Sequence, residues 1–167
     1  MADEIVNKVA QAQIEQIDLK DFLPQENILA IDLKELLWNE FVLKEKEFRD
    51  WIKSHDWSIY ENKIVALHCS NDAIIPAWAY MLITAELGDA QAIIYGSPKI
   101  AKEESFFTNL SAWNIDELKD KRVMVKGCSD IPNPNKAYVV LTKKLIPVVK
   151  SLMFGEPCSA VPVFKKK

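Results

Sequence analysis

Glycine is scarce in this chain, with four residues in 167. That leaves little room for glycine-rich loops that cradle phosphates, and neither a dinucleotide fingerprint nor a P-loop pattern occurs. Histidine is scarcer still: only His55 and His68 are present, which limits imidazole ligation of a metal and the supply of general bases. Lysine and arginine (21) do not outnumber aspartate and glutamate (24), and the formal charge is −3. Neutralising phosphates needs a clustered basic excess, so no nucleic-acid partner is expected. The Lys165-Lys166-Lys167 tail is too short to change that and reads as solvated. Long hydrophobic runs are absent too. The longest, Ala73 to Ala85, contains Pro76 and Thr84 and is too short to span a bilayer, so no membrane is expected. The acidic opening Met1-Ala2-Asp3-Glu4 lacks the basic and apolar regions of an export signal. A cytoplasmic protein is therefore expected, in which three cysteines read as reduced thiols or metal ligands rather than a disulfide framework.

What remains is ordinary for a globular protein: 49% apolar and 27% charged residues. The length suits one domain over residues 1–167 with a single sizeable core. The N-terminal third reads as mainly helical, with a short helix over Asp3–Ala12. Ile28–Ile31 reads as an edge strand, followed by Asp32 capping a turn at Leu33. Over 44–54 the apolar residues Leu43, Phe48, Trp51 and Ile52 fall near one face with His55, which predicts an amphipathic helix. From Lys63 the pattern alternates. Strands are expected over 64–69, 92–95, 122–128 and 161–164, with an all-round apolar helix over 77–85. One or two further helices are expected over 99–120, broken near Asn114. The last, after Asn133-Pro134, should be kinked or divided by Pro147. This predicts an α/β fold: a small, mainly parallel sheet with flanking helices and an N-terminal helical region packed on it.

Three thiols stand out because each precedes a serine: Cys69-Ser70, Cys128-Ser129 and Cys158-Ser159. The first two also open matching segments. Pro76, Ala79, Tyr80, Thr84 and Leu87 recur without a gap as Pro134, Ala137, Tyr138, Thr142 and Leu145, which suggests one structural device used twice. If the strands ending at Cys69 and Cys128 lie side by side in flavodoxin-like order, the gap between them is a topological switch point, where open α/β sheets bind ligands. Turns entering helix N-termini would favour a thiolate there. Asp72 and Asp130, a few residues on, read as caps. Cys69, Cys128 and Cys158 are then candidate ligands of zinc or of an iron–sulfur cluster, with His68 as a fourth or an outer ligand. His68 and Cys69 alternate along a strand and point to opposite faces. No Cys-x-x-Cys pair reinforces the metal reading. Cys158 can join the others only if the helix breaks near Pro147 and folds back. The alternative, that free cysteines are packed as small hydrophobes, stays open.

Three segments resemble an uncharacterised bacterial family of the Bacteroidetes type, domain of unknown function 2480: Ser54-His55-Asp56-Trp57, Cys69-Ser70 to Tyr80, and Gly155-Glu156-Pro157-Cys158-Ser159 with Val161-Pro162. The resemblance covers nearly the whole chain and implies a stand-alone domain, but it supplies no activity or ligand. Three functions follow as expectations. The first is a small accessory protein that binds a metal or acts through its thiols. The second is a cysteine-dependent redox or hydrolytic enzyme. The third is an interaction module, for a protein partner or self-association, with structural cysteines and five tryptophans available for interfaces.

Overall fold

The expected alternation of strand and helix is present, but it builds two sheets instead of one. The computed structural model describes residues 14–127, 129–156 and 159–167. Cys128, Cys158 and the helix expected over Asp3–Ala12 lie outside the described residues. In chain order the described elements are β1 (Ile14–Ile17), β2 (Ile28–Asp32), α1 (Glu45–Ser54), β3 (Ile64–His68), α2 (Ala77–Glu86), β4 (Ala92–Tyr95), α3 (Pro98–Ala112), β5 (Arg122–Val125), α4 (Pro134–Leu145), β6 (Ser151–Phe154) and β7 (Val161–Lys165). The fold is α/β. One sheet has the order β2-β3-β4, all parallel, and the other β1-β5-β6-β7, parallel except for β7. The strands leading to Cys69 and Cys128 are therefore not neighbours, and the flavodoxin-like order is corrected. An N-terminal helical region is not found among the described residues: two strands, each followed by a short 3-10 turn, precede α1.

The chain separates into two compact units. Pro24–Ser105 forms an inserted unit. The described residues up to Leu23, together with Phe106–Lys167, form a flanking unit. Each is the same construction. A strand ends in an aspartate that caps a 3-10 turn, in Ile31-Asp32-Leu33-Lys34 and in Ile17-Asp18-Leu19-Lys20. The backbone N–H of Lys34 donates to Asp32 Oδ1 at 3.0 Å, and that of Lys20 to Asp18 Oδ1 at 3.0 Å. The central strand, β3 or β5, pairs with this strand on one side and with β4 or β6 on the other.

The buried positions repeat at one constant spacing. In the inserted unit they are Phe48, Ile52, Tyr60, Val65, Leu67, Ala79, Ile83 and Leu87. In the flanking unit they are Phe106, Leu110, Leu118, Val123, Val125, Ala137, Leu141 and Leu145. Even the backbone irregularities recur: Asn62 and Asp120 both have φ 55 at the turn entering the central strand. Gly96 and Gly155, at φ +149 and +116, close β4 and β6, where their N–H groups donate to Leu67 O and Val125 O at 3.0 and 2.9 Å. A Cβ on Gly96 would lie 2.7 Å from Ile100 Cγ2, so this turn requires glycine.

Two sequence expectations fail for local reasons. Pro147 does not divide a helix. α4 has already ended at Leu145, and after a turn the chain returns as strand β6. That strand, not a folded-back helix, carries Gly155 to the carboxyl edge of β5. The helix α2 is apolar all round but not buried all round: Ala79 and Ile83 are enclosed while Met81 is 71% exposed. Ile83 and Leu141 occupy equivalent core positions, so Ile83→Ala and Leu141→Ala should each lose about 2–5 kcal/mol of unfolding free energy, read from urea titration. The exposed Val139→Ala should stay within about 0.5 kcal/mol of the parent. A loss below about 1 kcal/mol at either core position would contradict the shared-core assignment.

Candidate functional site

Ligands of open α/β sheets bind beyond the carboxyl ends of the strands. In the inserted unit three elements deliver polar side chains to that edge. β2 ends in Asp32, β3 in His68 and then Cys69, and β4 in Tyr95; α2 adds Tyr80. In-register pairing sets Asp32 opposite His68 and Tyr95 opposite Leu67. Alternation then sorts the groups between the faces. Cys69 follows Val65 and Leu67 onto the side packed by α2, where it is partly buried against the core. His68 follows Ile64 and Ala66 to the other side, as the sequence indicated. The thiol and imidazole therefore do not converge. Cys69 is not at a helix N-terminus either, since residues 70–76 separate it from α2.

Asp32 holds this edge together. Besides capping Lys34, its Oδ1 accepts the Ser70 backbone N–H at 2.9 Å, which fixes the turn directly after Cys69. Burial works against the charge on this carboxylate. Hydrogen bonds from the Ser70 side chain and from the Lys34 and Ser70 backbone outweigh it, with a smaller attraction from His68, and hold its pKa below the ordinary carboxylate value. Tyr80 and Tyr95 meet edge to face, with centroids 5.3 Å apart and planes at 82°. Burial first, then Tyr95 and to a smaller extent Cys69, push the Tyr80 hydroxyl up to about 12. Tyr80 is thus a neutral donor beside the thiol and not a base.

The flanking unit has the same frame with other chemistry. Tyr138 and Phe154 repeat the ring pair at 5.2 Å and 83°. Lys126 stands where His68 does, its Nζ 4.0 Å from Asp18 Oδ2. By the constant spacing Gly127, not Cys128, is the counterpart of Cys69, so the two Cys-Ser pairs are offset by one residue. Beneath the rings a largely apolar cavity of about 270 Å³, lined by Val125, Tyr138, Leu141 and Phe154 among others, falls below the usual size of small-molecule sites. Asp130 is not a cap: it pairs with Lys20 at 3.0 Å. Asp72 is exposed, and the cap position of α2 is held by Pro76. Asn133 occupies the cap position of α4 in a left-handed conformation, with Pro134 at the first helical position as expected.

Of the sequence-proposed ligands, Cys69 and His68 are placed, His68 as the last residue of β3 and Cys69 one residue beyond it, packed against the core; Cys128 and Cys158 are outside the described residues. No group of three or more metal-ligating side chains occurs among the described residues. His55 is the C-cap of α1. It stacks among Trp51, Trp57 and Tyr60, with Nε2 3.2 Å from Tyr60 Oη. The aromatic edge of Tyr80 and Tyr95 escaped the sequence reading. Its signal was there: Tyr95-Gly96 and Phe154-Gly155 follow the Tyr80 and Tyr138 helices in the same order.

The chain belongs to the family described as "Protein of unknown function (DUF2480)", whose pattern matches residues 3–166. No curated protein and no solved structure matches it. No helix among the described residues is long and apolar enough to cross a membrane.

Two outcomes test the edge. Asp32→Ala should cost about 0.5–2 kcal/mol at neutral pH. The cost should shrink on acidification below about pH 4: a carboxylate with a lowered folded pKa contributes stability above its unfolded value and loses it as pH falls through the folded one. A cost unchanged in acid would exclude the ionised cap. In a phenolate absorbance titration, Tyr95→Phe should bring the highest-titrating tyrosine down from about 12 but keep it above the ordinary value of about 10, because burial remains. No change would separate Tyr95 from Tyr80.

Proposed function

We propose that the protein is a small cytoplasmic accessory protein that acts through its thiols, holding zinc or an iron–sulfur species for protein partners instead of turning over a substrate. Cys69 is the ligand the reading is built on. The observation that carries this reading is the position of Cys69. It is a partly exposed thiol at the carboxyl edge of a parallel sheet, on a turn clamped by Asp32.

The alternative of a cysteine nucleophile is less well supported, because such a thiol needs a base within hydrogen-bond reach. His68 projects from the other face of β3, His55 is engaged by Tyr60, and Tyr80 holds its proton. Soft thiolates suit zinc and iron–sulfur centres, so binding should leave a direct elemental record.

Protein purified without air or chelators should contain close to one equivalent of zinc or iron, reduced by Cys69→Ser while the circular dichroism stays native. Less than about a tenth of an equivalent, or a full complement retained by the variant, would refute metal binding through Cys69.

A further inference from the structure

The two units differ in what lies beyond their third strand. In the flanking unit β6 is covered by β7, which pairs Phe164 with Leu152 and Val161 with Phe154. The equivalent strand of the inserted unit, β4, ends its sheet, and no strand lies beyond it among the described residues. Pairing with β3 engages the main chain of alternate residues only: the N–H groups of Ala92 and Gly96 donate to Lys63 O and Leu67 O at 3.5 and 3.0 Å. The N–H and C=O groups of Ile93 and Tyr95 therefore point outward, as do those of Leu152 and Phe154, which β7 satisfies. Side chains record the difference. Leu152 is 2% and Phe154 37% exposed beside β7, whereas Ile93 is half-buried and Tyr95 is 74% exposed. The helices leave this edge open, since α3 packs Ala101 on Ile64 and Ala66 at one face of the sheet and α2 packs Ile83 on the other.

Open sheet edges are normally guarded by charge, proline or a bulge. Among the described strands that end a sheet, β1 carries Glu15, β2 carries Asp32, and β7 carries Pro162, Lys165 and a register shift against β6. β4, Ala92-Ile93-Ile94-Tyr95, has none of these, and no charged residue occurs from Gln91 to Pro98. We propose that β4 pairs antiparallel with β4 of a second copy about a two-fold axis at Ile94, joining the two sheets into one. In that register the edge is self-complementary. Ile93 of each copy faces Tyr95 of the other and exchanges both main-chain bonds with it, so every outward group finds a partner. The side chains agree. Ile93 and Tyr95 project on the α2 face and form β-branched–aromatic cross-strand pairs, while the two Ile94 side chains meet on the opposite face. β7 shows that the frame accepts this chemistry here, since it seats two valines and a phenylalanine antiparallel on β6. Charge at the ends matches as well: antiparallel pairing brings Asp89, before β4 of one copy, towards Lys99, after β4 of the other.

The test is sedimentation velocity of the full chain from about 1 to about 200 μM, where a reversible dimer is expected. Reductant and chelator are present, so that neither a disulfide nor a shared metal can join two copies. Ile93→Pro removes the outward N–H and spares the bonds to β3, and Tyr95→Lys puts a charge on an exposed position of the edge. Each should weaken the dimer by at least about tenfold. Val161→Lys, on the outer strand of the other sheet, should leave it unchanged. Hydrogen exchange read by mass spectrometry needs no variant: the segment holding Ile93 and Tyr95 should gain protection as concentration rises, and that holding Leu152 and Phe154 should not. A monomer throughout the range, a dimer indifferent to both β4 variants or lost in Val161→Lys, or no concentration-dependent protection of β4 would overturn the proposal. Protection of Ile93 and Tyr95 in a monomer, constant or induced only by an added peptide of β7 sequence, would overturn it in favour of a strand from elsewhere in the chain or from a partner protein.

Discussion

Everything at the carboxyl edge depends on how closely one helix approaches one sheet, and an alanine sets that distance. Ala79 and Ala137 are fully enclosed at the first inward turn of α2 and α4. A larger side chain there would force the helix off the sheet, since close-packed interiors do not absorb even a few extra methylenes without strain. With the helix held close, the next residue, Tyr80 or Tyr138, is placed against the aromatic that ends the neighbouring strand. The glycine after that aromatic adopts positive φ and returns a hydrogen bond to the central strand. The small residue, the ring pair and the glycine form one mechanical unit, present in both halves.

That shared frame separates structural groups from those open to function. The buried positions, the capping aspartates and the positive-φ glycines recur in both units, so the fold accounts for them. Cys69 against Gly127, His68 against Lys126, Tyr95 against Phe154 and Met81 with its alanines against Val139 with its polar neighbours are the differences. Among the described residues the inserted edge carries a thiol, an imidazole and a second phenol where the flanking unit has a glycine, an ammonium and a plain ring. A chain that contains its own comparison makes the inserted edge the better candidate.

Much of this was legible in sequence, and the failures have physical causes. The helix expected over 44–54, the strands expected over 28–31, 64–69, 92–95 and 161–164 and the helix break expected near Asn114 followed from apolar patterning and are found to within a residue or two, and Asp32 from capping chemistry. Strand β1 was not seen, because Ile14-Glu15-Gln16-Ile17 has too few apolar residues to show a period. The two sheets were merged into one because strand partners are chosen by contacts remote in sequence, about which a local pattern says nothing. Pro147 was read as a kink, since proline alone does not distinguish a bend from an end. The duplication is legible from the prolines onward, but its anchors in β3 and β5 share only a valine and carry no such signal. Pairing cysteine with cysteine then shifted the match by one position.

The nested order of the two units carries a cost, and its size explains why it is tolerated. In the flanking unit β1 pairs with β5 across the whole inserted unit, Ile14 with Arg122, whereas β2 pairs with β3 at Ile28 and Ile64. The first closure spans about three times the sequence separation of the second, which adds only about 1 kcal/mol of loop entropy because the cost grows logarithmically. Burial of a single side chain such as Ile17 or Leu19, about 1.5–3 kcal/mol, offsets that. β1 and its 3-10 turn bring both, and Lys121 Nζ meets Glu15 Oε1 at 2.8 Å along the same pair. The N-terminal strand can therefore serve a unit whose remainder begins at Phe106, and the intervening chain is free to form a second copy of the same frame with different groups at its edge.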